Sequence, residues 1–226
     1  MPKSLAPVTP RKRGRPPKLR SDLDEGNRRR QLIEGAARLF RAKGFDGTST
    51  RDIAAAAGMR SGSPFYHFDS KNALLYVVVQ EGMAFAHQSQ CDALSKLPEG
   101  ASPREQLRSL VREHFEVLHG PHADFIPVML YEWRRLDPDQ VGEVTALKDA
   151  YEAAWVPVLN SLHASGQLAG DPVLARLMIF GALNWAVQWY RPPPPRASRA
   201  KSPANNRATL DDLTTTALQL FLKEPS

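Results

Sequence analysis

From residue 27 onward the chain sorts apolar from polar positions at a helical interval. Leu32, Ile33, Ala36, Ala37, Leu39 and Phe40 return every three or four residues while Arg and Glu fill the opposite positions, which predicts an amphipathic helix. Gly44 stops it. Thr48 or Ser49 can cap the next helix, and Asp52 stands three residues beyond Ser49, as in a capping box with Asp in place of Glu or Gln. That helix, 51–57, is two turns long. Gly58 is placed to leave it in a left-handed conformation, and Ser61 to cap a third helix running through His67. Phe45, Ile53, Ala57 and Phe68 are the expected core of this three-helix unit.

Beyond Ser70 the pattern predicts helices over 71–95, 103–119, 123–136, 139–165, 172–190 and 209–223, separated by turn-forming clusters. Pro127 and Pro157 fall inside two of them and predict kinks or breaks. No segment alternates as a strand, so the fold class is all-α. Residues 1–26 are rich in Pro, Arg and Lys and nearly free of large apolar side chains, so they are expected to form a basic arm with no structure of its own. The four consecutive prolines within 191–207 predict an extended linker. The expected organisation is an arm over 1–26, a helix-turn-helix unit over 27–72 and a helical body over 73–226.

Charge sharpens this division. Residues 1–30 hold ten basic side chains against three acidic ones, or +7, which leaves −1 for the rest of a +6 chain. A polyanionic partner for the front of the molecule follows. Cys91 is the single cysteine, which excludes an intrachain disulfide and a thiolate metal cluster and fits a reducing compartment. No stretch has the apolar length of a membrane span or a secretory signal, so a cytoplasmic protein with no membrane partner is expected.

The run Ala42-Lys43-Gly44-Phe45-Asp46-Gly47-Thr48-Ser49-Thr50-Arg51-Asp52-Ile53-Ala54, then Ala57-Gly58, then Gly62-Ser63-Pro64-Phe65-Tyr66-His67-Phe68 with Ser70-Lys71 resembles the signature of the TetR family of transcription regulators. Pro64 and Phe65 depart from it, standing where the family has an aliphatic residue and a tyrosine. The resemblance implies an N-terminal helix-turn-helix DNA-binding domain and a C-terminal helical ligand-binding and dimerisation domain. It also implies a homodimeric repressor that binds a palindromic operator in double-stranded DNA and is released by a small inducer. Carried over position by position, it assigns Ser49, Thr50 and Arg51 to phosphates, Arg60, Ser61, Gly62 and Ser63 to base edges, and Tyr66, His67 and Lys71 to the DNA backbone. Arg60 is the candidate for base reading, since a guanidinium can bind guanine bidentately. His67 has no second ligand at metal-binding spacing.

Within the arm, Arg13, Gly14, Arg15 and Pro16 resemble an AT-hook, whose arginines enter a narrow minor groove. A generic basic tail acting through counterion release is the other reading. In the body, Phe85, Phe115, Leu118, Phe125, Met129, Leu130, Trp133, Tyr151 and Trp155 form a pool from which core and cavity must both be drawn. Phe115, Phe125, Met129, Trp133, Arg134, Trp155 and Trp185 are the pocket candidates. The patches Tyr131-Glu132-Trp133-Arg134-Arg135-Leu136 and 184–192 resemble the branch of the family that answers to acyl-CoA thioesters, with Arg134, Arg135 and Arg191 free to meet phosphates. Salt bridges and interface aromatics explain the same residues equally well.

The family resemblance further implies that the last two helices pair with those of a second copy. Leu174, Leu177, Met178, Phe180, Gly181, Leu183, Asn184, Trp185 and Val187 nearly encircle the first of them, with Leu210, Leu213, Leu218 and Phe221 on the other. An architectural DNA-binding protein with a hook and no ligand is the alternative, favoured by a body without a cavity. No enzyme, cofactor or metal is expected. His114, His119 and His122 lie near Glu113 and Glu116, but not at the spacing of a helical zinc site, and neither a phosphate loop nor a nucleophile elbow occurs.

Overall fold

The computed structural model describes residues 18–59, 66–120, 122–192 and 208–223, with side chains from residue 25 onward. Nine α-helices are found among the described residues: α1 (Lys18–Lys43), α2 (Thr50–Ala56), α3 (Lys71–Ser95), α4 (Pro103–His119), α5 (Phe125–Glu132), α6 (Pro138–Ala153), α7 (Trp155–Ala164), α8 (Pro172–Trp189) and α9 (Leu210–Phe221). A 3₁₀ turn, Trp133–Arg135, extends α5. The one β-type contact among the described residues is an isolated bridge between Leu168 and Leu222. None of the described helices is long and apolar enough to cross a membrane.

Local chemistry sets most boundaries. Ser49 accepts from Asp52 N–H at 3.1 Å while Asp52 Oδ2 accepts from Ser49 N–H at 3.1 Å, closing the expected capping box. Ser102 with Glu105 and Thr209 with Asp212 repeat it at α4 and α9. Asp171 caps α8, with Pro172 in the first turn, where its missing N–H has no intrahelical partner. Gly44 and Gly58 leave α1 and α2 at φ of 74° and 70°, the left-handed region that disfavours any side chain.

Three expectations change. The first helix begins at Lys18 rather than at residue 27. The helix expected over 139–165 is two helices that break at Ala154, because the ring of Pro157 would clash with the carbonyl of Ala153, four residues back. Pro127 makes no kink: α5 starts at Phe125, which places the proline in the first turn, where no hydrogen bond is lost.

Two apolar clusters organise the packing. One joins α1 (Leu32, Ile33, Ala36, Ala37 and Phe40), Phe45, Ile53 and Phe68 to the front half of α3, and it also takes Val128, Leu136 and Val144. The other gathers the rear of α3 with α4, α7, α8 and α9 around Trp155, Leu118 and Leu159. Phe45, Ile53 and Phe68 are core as expected, and Ala57 is partly buried against them. The short helix α5 contributes to both clusters, through Val128 to the first and Ile126 to the second.

Candidate functional site

The DNA-facing candidates divide into three groups. Ser49 and Arg51 are exposed at the start of α2, with Thr50 half-buried between them. The Ser49 hydroxyl holds Asp52, and this bond together with the Ser49 N–H keeps the Asp52 carboxyl below its usual range. Tyr66 is 79% exposed, its ring edge-on to His67 with centroids 5.2 Å apart. Arg60, Ser61, Gly62 and Ser63, the candidates for base contact, lie outside the described residues, as do Arg13, Gly14, Arg15 and Pro16.

Lys71 has a structural position that its sequence context did not announce. Its ammonium donates to the carbonyls of Phe45 at 2.8 Å and Thr48 at 3.0 Å and stands 4.1 Å from the Phe45 ring centroid. It therefore ties the turn after α1 to the start of α3, leaving one donor for a phosphate.

In the body, α3, α4, α5, α6 and α8 enclose a partly open cavity of about 210 Å³. Met83, Val117, Ile126, Met129, Leu130, Trp133 and Phe180 supply an apolar lining, while His114, Tyr151 and Asn184 form its polar end. The His114 ring lies 3.0 Å from Tyr151 Oη through Nδ1 and 3.1 Å from Asn184 Oδ1 through Nε2. Burial pushes the His114 pKa down to about 4, so the ring is neutral at pH 7 and carries one N–H. Because an amide oxygen only accepts, Nε2–H donates to Asn184 and the Tyr151 hydroxyl donates to Nδ1. Burial also raises the Tyr151 pKa far above its ordinary value, which keeps that proton in place. At the rim, Glu152 pairs with Arg176 and, at 3.1 Å, with Lys148.

Of the seven pocket candidates, Met129 and Trp133 line this cavity. Phe115 and Trp155 are core: Trp155 is fully buried, and its Nε1 donates to Gln90 Oε1 at 2.7 Å, while Gln90 in turn donates to the Tyr151 carbonyl. Phe125 packs against Gly82, where a Cβ would lie 2.8 Å from its own. Arg134 is exposed beside the Trp133 ring, and Trp185 is 64% exposed on the far side of α8. Sequence reasoning missed His114, Asn184, Thr145, Lys148 and Glu152 as lining residues. The available signal was a polar side chain on the apolar face of a helix, His114 on α4 and Asn184 on α8.

A row of polar contacts joins the lower edge of α5 to the α1–α2 unit. Glu132 Oε1 accepts from Phe45 N–H at 3.0 Å and crowds Gly44, where a Cβ would lie 3.2 Å from it. Arg135 pairs with Asp46, and its carbonyl accepts from Asn72 Nδ2 at 3.1 Å. Arg41 donates to Ala123 O at 3.0 Å and Asp124 Oδ1 at 2.9 Å. Arg135 is thus engaged within the protein, the salt-bridge alternative of the two readings that its sequence patch left open.

Helix α8 is divided lengthwise. Ile179, Phe180, Leu183 and Ala186 are buried, while Leu174, Leu177, Met178 and Trp185 are more than half exposed along one stripe that also carries the open Gly181.

Residues 32–77 match the model of bacterial regulatory proteins of the tetR family, and residues 100–197 match the tetracyclin repressor-like C-terminal domain. The HTH-type transcriptional repressor KstR2 of Mycolicibacterium smegmatis is 30% identical over 170 residues, covering 74% of this chain and 80% of that protein. The fatty acid metabolism regulator protein of Bacillus subtilis is 26% identical over 70% of this chain and 80% of its own length. Among solved structures, the ketosteroid transcriptional regulator KstR2 of Mycobacterium tuberculosis superposes with a TM-score of 0.70 at 26% identity, covering 87% of this chain and 96% of that one. AibR in complex with isovaleryl coenzyme A and operator DNA shares the fold, with a TM-score of 0.72 at 22% identity over 86% of this chain and 97% of its own. With both halves of the sequence matched and a repressor related to it through most of its length, this chain belongs to the TetR family of helix-turn-helix transcription regulators.

Proposed function

We propose that this protein is a homodimeric, ligand-responsive repressor that holds a two-fold operator and releases it when a small amphipathic inducer, of acyl-thioester type, enters the α3–α8 cavity. The helix-turn-helix unit over 27–72 acts on DNA, helped by the basic arm, and the body over 73–226 senses and dimerises. The observation that carries this reading is α5: Ile126, Met129 and Leu130 face the cavity while Glu132 holds the backbone of Phe45 at the foot of α1.

An inducer that favours one placement of α5 also favours one placement of the DNA-binding unit, and by linkage it lowers operator affinity by the factor by which operator lowers its own. The Asn184 amide, whose oxygen accepts from His114, has its N–H groups to offer a carbonyl or hydroxyl on an otherwise apolar ligand. The exposed stripe of α8 supports pairing of two copies, which a single helix-turn-helix per chain requires for a two-fold site. A cavity in the body removes the support that a hook-only architectural protein would need. Both ring nitrogens of His114 are engaged, so no general base is assigned.

The test is fluorescence anisotropy on a fragment selected from random DNA, with an acyl-CoA series added. Release of wild type but not of Met129→Trp, which fills the cavity yet binds the fragment normally, is the expected result. Equal release of both proteins refutes the assignment of the cavity.

A further inference from the structure

A second cleft, of about 440 Å³, opens between the end of α1, the outer face of α5 and the last turn of α8. Its lining differs in kind from that of the first cavity. Arg41 and Arg191 enter it from opposite sides, with the Tyr131 hydroxyl and the Gln188 amide bonded to each other between them. Arg41 is offset by Asp124, and the Glu132 carboxylate accepts from Phe45 N–H. Arg191 donates to the carbonyls of Val187 at 3.3 Å and Tyr190 at 2.8 Å and pairs with no carboxylate among the described residues.

Beside them, His119 Nε2 is buried with no hydrogen-bond partner among the described residues. Burial first, then the charges of Arg41 and Arg191, push the His119 pKa down to about 4. The charges acting on His119 are those of Arg41 and Arg191; Asp124 pairs with the first and Glu132 lines the same cleft, so Arg191 is the guanidinium there without a carboxylate partner among the described residues.

We infer that this cleft is a phosphate-binding site, which receives the diphosphate of a coenzyme A thioester whose acyl end lies in the α3–α8 cavity. Geometry links the two spaces. Phe180 and Asn184 line the first, Val187 and Gln188 follow Asn184 by one turn on the same side of α8, roughly 5 Å along its axis at about 1.5 Å per residue, and Arg191 stands two residues past the end of the helix. A flexible pantetheine arm crosses that separation. Guanidinium groups suit the planar, bidentate recognition of phosphate oxygens. Since Arg41 belongs to α1, the bound anion contacts the DNA-binding unit directly.

The acyl part of this inference rests on the reading of the first cavity given above; the phosphate part does not. Isothermal titration of the full chain with isovaleryl-CoA, S-isovaleryl-pantetheine and ADP, on wild type and Arg191→Met, separates the two. The expected result is at least a tenfold loss of isovaleryl-CoA affinity in the variant, with S-isovaleryl-pantetheine binding both proteins alike and an unchanged melting profile. If ADP alone binds wild type as tightly as the thioester and is lost in the variant, the phosphate site stands with a free nucleotide as its ligand, and the link to the cavity is overturned. If the thioesters bind and the variant loses nothing, or no phosphate-bearing probe binds wild type, the phosphate site is overturned. In the first of those cases the cavity reading survives.

Discussion

Replacing His114 by Gln tests the polar end of the cavity without reference to any inducer. In the folded protein the His114 pKa is about 4, whereas its unperturbed value is 6.5, and burial is the largest cause. The unfolded chain therefore binds a proton as pH falls through 6.5, and the native state takes it only near 4. More protons bound to the unfolded state means stability that rises with pH, so this group removes stability between about pH 6.5 and 4 and adds no further loss below. At about pH 5 the two values correspond to about 2 kcal/mol per protomer, against almost nothing at about pH 7.5.

Glutamine in place of His114 donates to Asn184 Oδ1 through its amide nitrogen, accepts from Tyr151 through its oxygen, and does not titrate. Urea unfolding at one protomer concentration, compared at those two pH values, is expected to show wild type losing about 2 kcal/mol more than His114→Gln. His119 and the carboxylates titrate in both proteins and cancel in the difference. Equal losses would mean that the ring is protonated in the native state, and the donor and acceptor assignments at the cavity end would fall with that.

Three further outcomes are specific. Ser49→Ala opens the α2 capping box and is expected to cost about 1 kcal/mol, read as a lower melting temperature without DNA. Lys71→Met is expected to destabilise the DNA-free protein by about 2 kcal/mol, through loss of two charge-assisted bonds; unchanged stability with a salt slope of DNA binding reduced by about one would instead make it a phosphate ligand alone. Met178→Asp places a charge in the middle of the exposed α8 stripe and is expected to yield a folded monomer by sedimentation, with operator binding lost; a dimer that persists would place the interface elsewhere.

The helix-turn-helix half was legible because its signals are local. Ser49 and Asp52 are three residues apart, Gly44 and Gly58 act on their own backbone, and the capping box is observed where the sequence placed it. The cavity is a different kind of object, a gap left between five helices, and its polar end joins His114 to an Asn184 70 positions away. Periodicity identifies the inward side of each helix but not which inward side chain borders space and which fills it. Trp155 and Phe115 were plausible on size, yet the first is locked by Gln90 and both are packed solid. Arg135 has the charge for a phosphate, but Asp46 lies within reach only once α5 meets the α1–α2 turn.

That meeting also explains why a helix of eight residues holds a central place. Gly82 brings α3 so close to α5 that a single added carbon would lie 2.8 Å from Phe125 Cβ, and contacts this tight carry a displacement of one helix to the other rather than absorbing it. Helix α3 runs from Lys71, bonded to the turn after α1, to Gln90 behind the cavity. The DNA-binding unit is thus held from two directions, by α5 through Glu132 and Arg135 and by α3 through Lys71. On the function proposed above, a ligand that displaces α5 is expected to move both attachments together, so that the unit turns as one body and the separation of two reading heads, rather than their internal fold, is what changes.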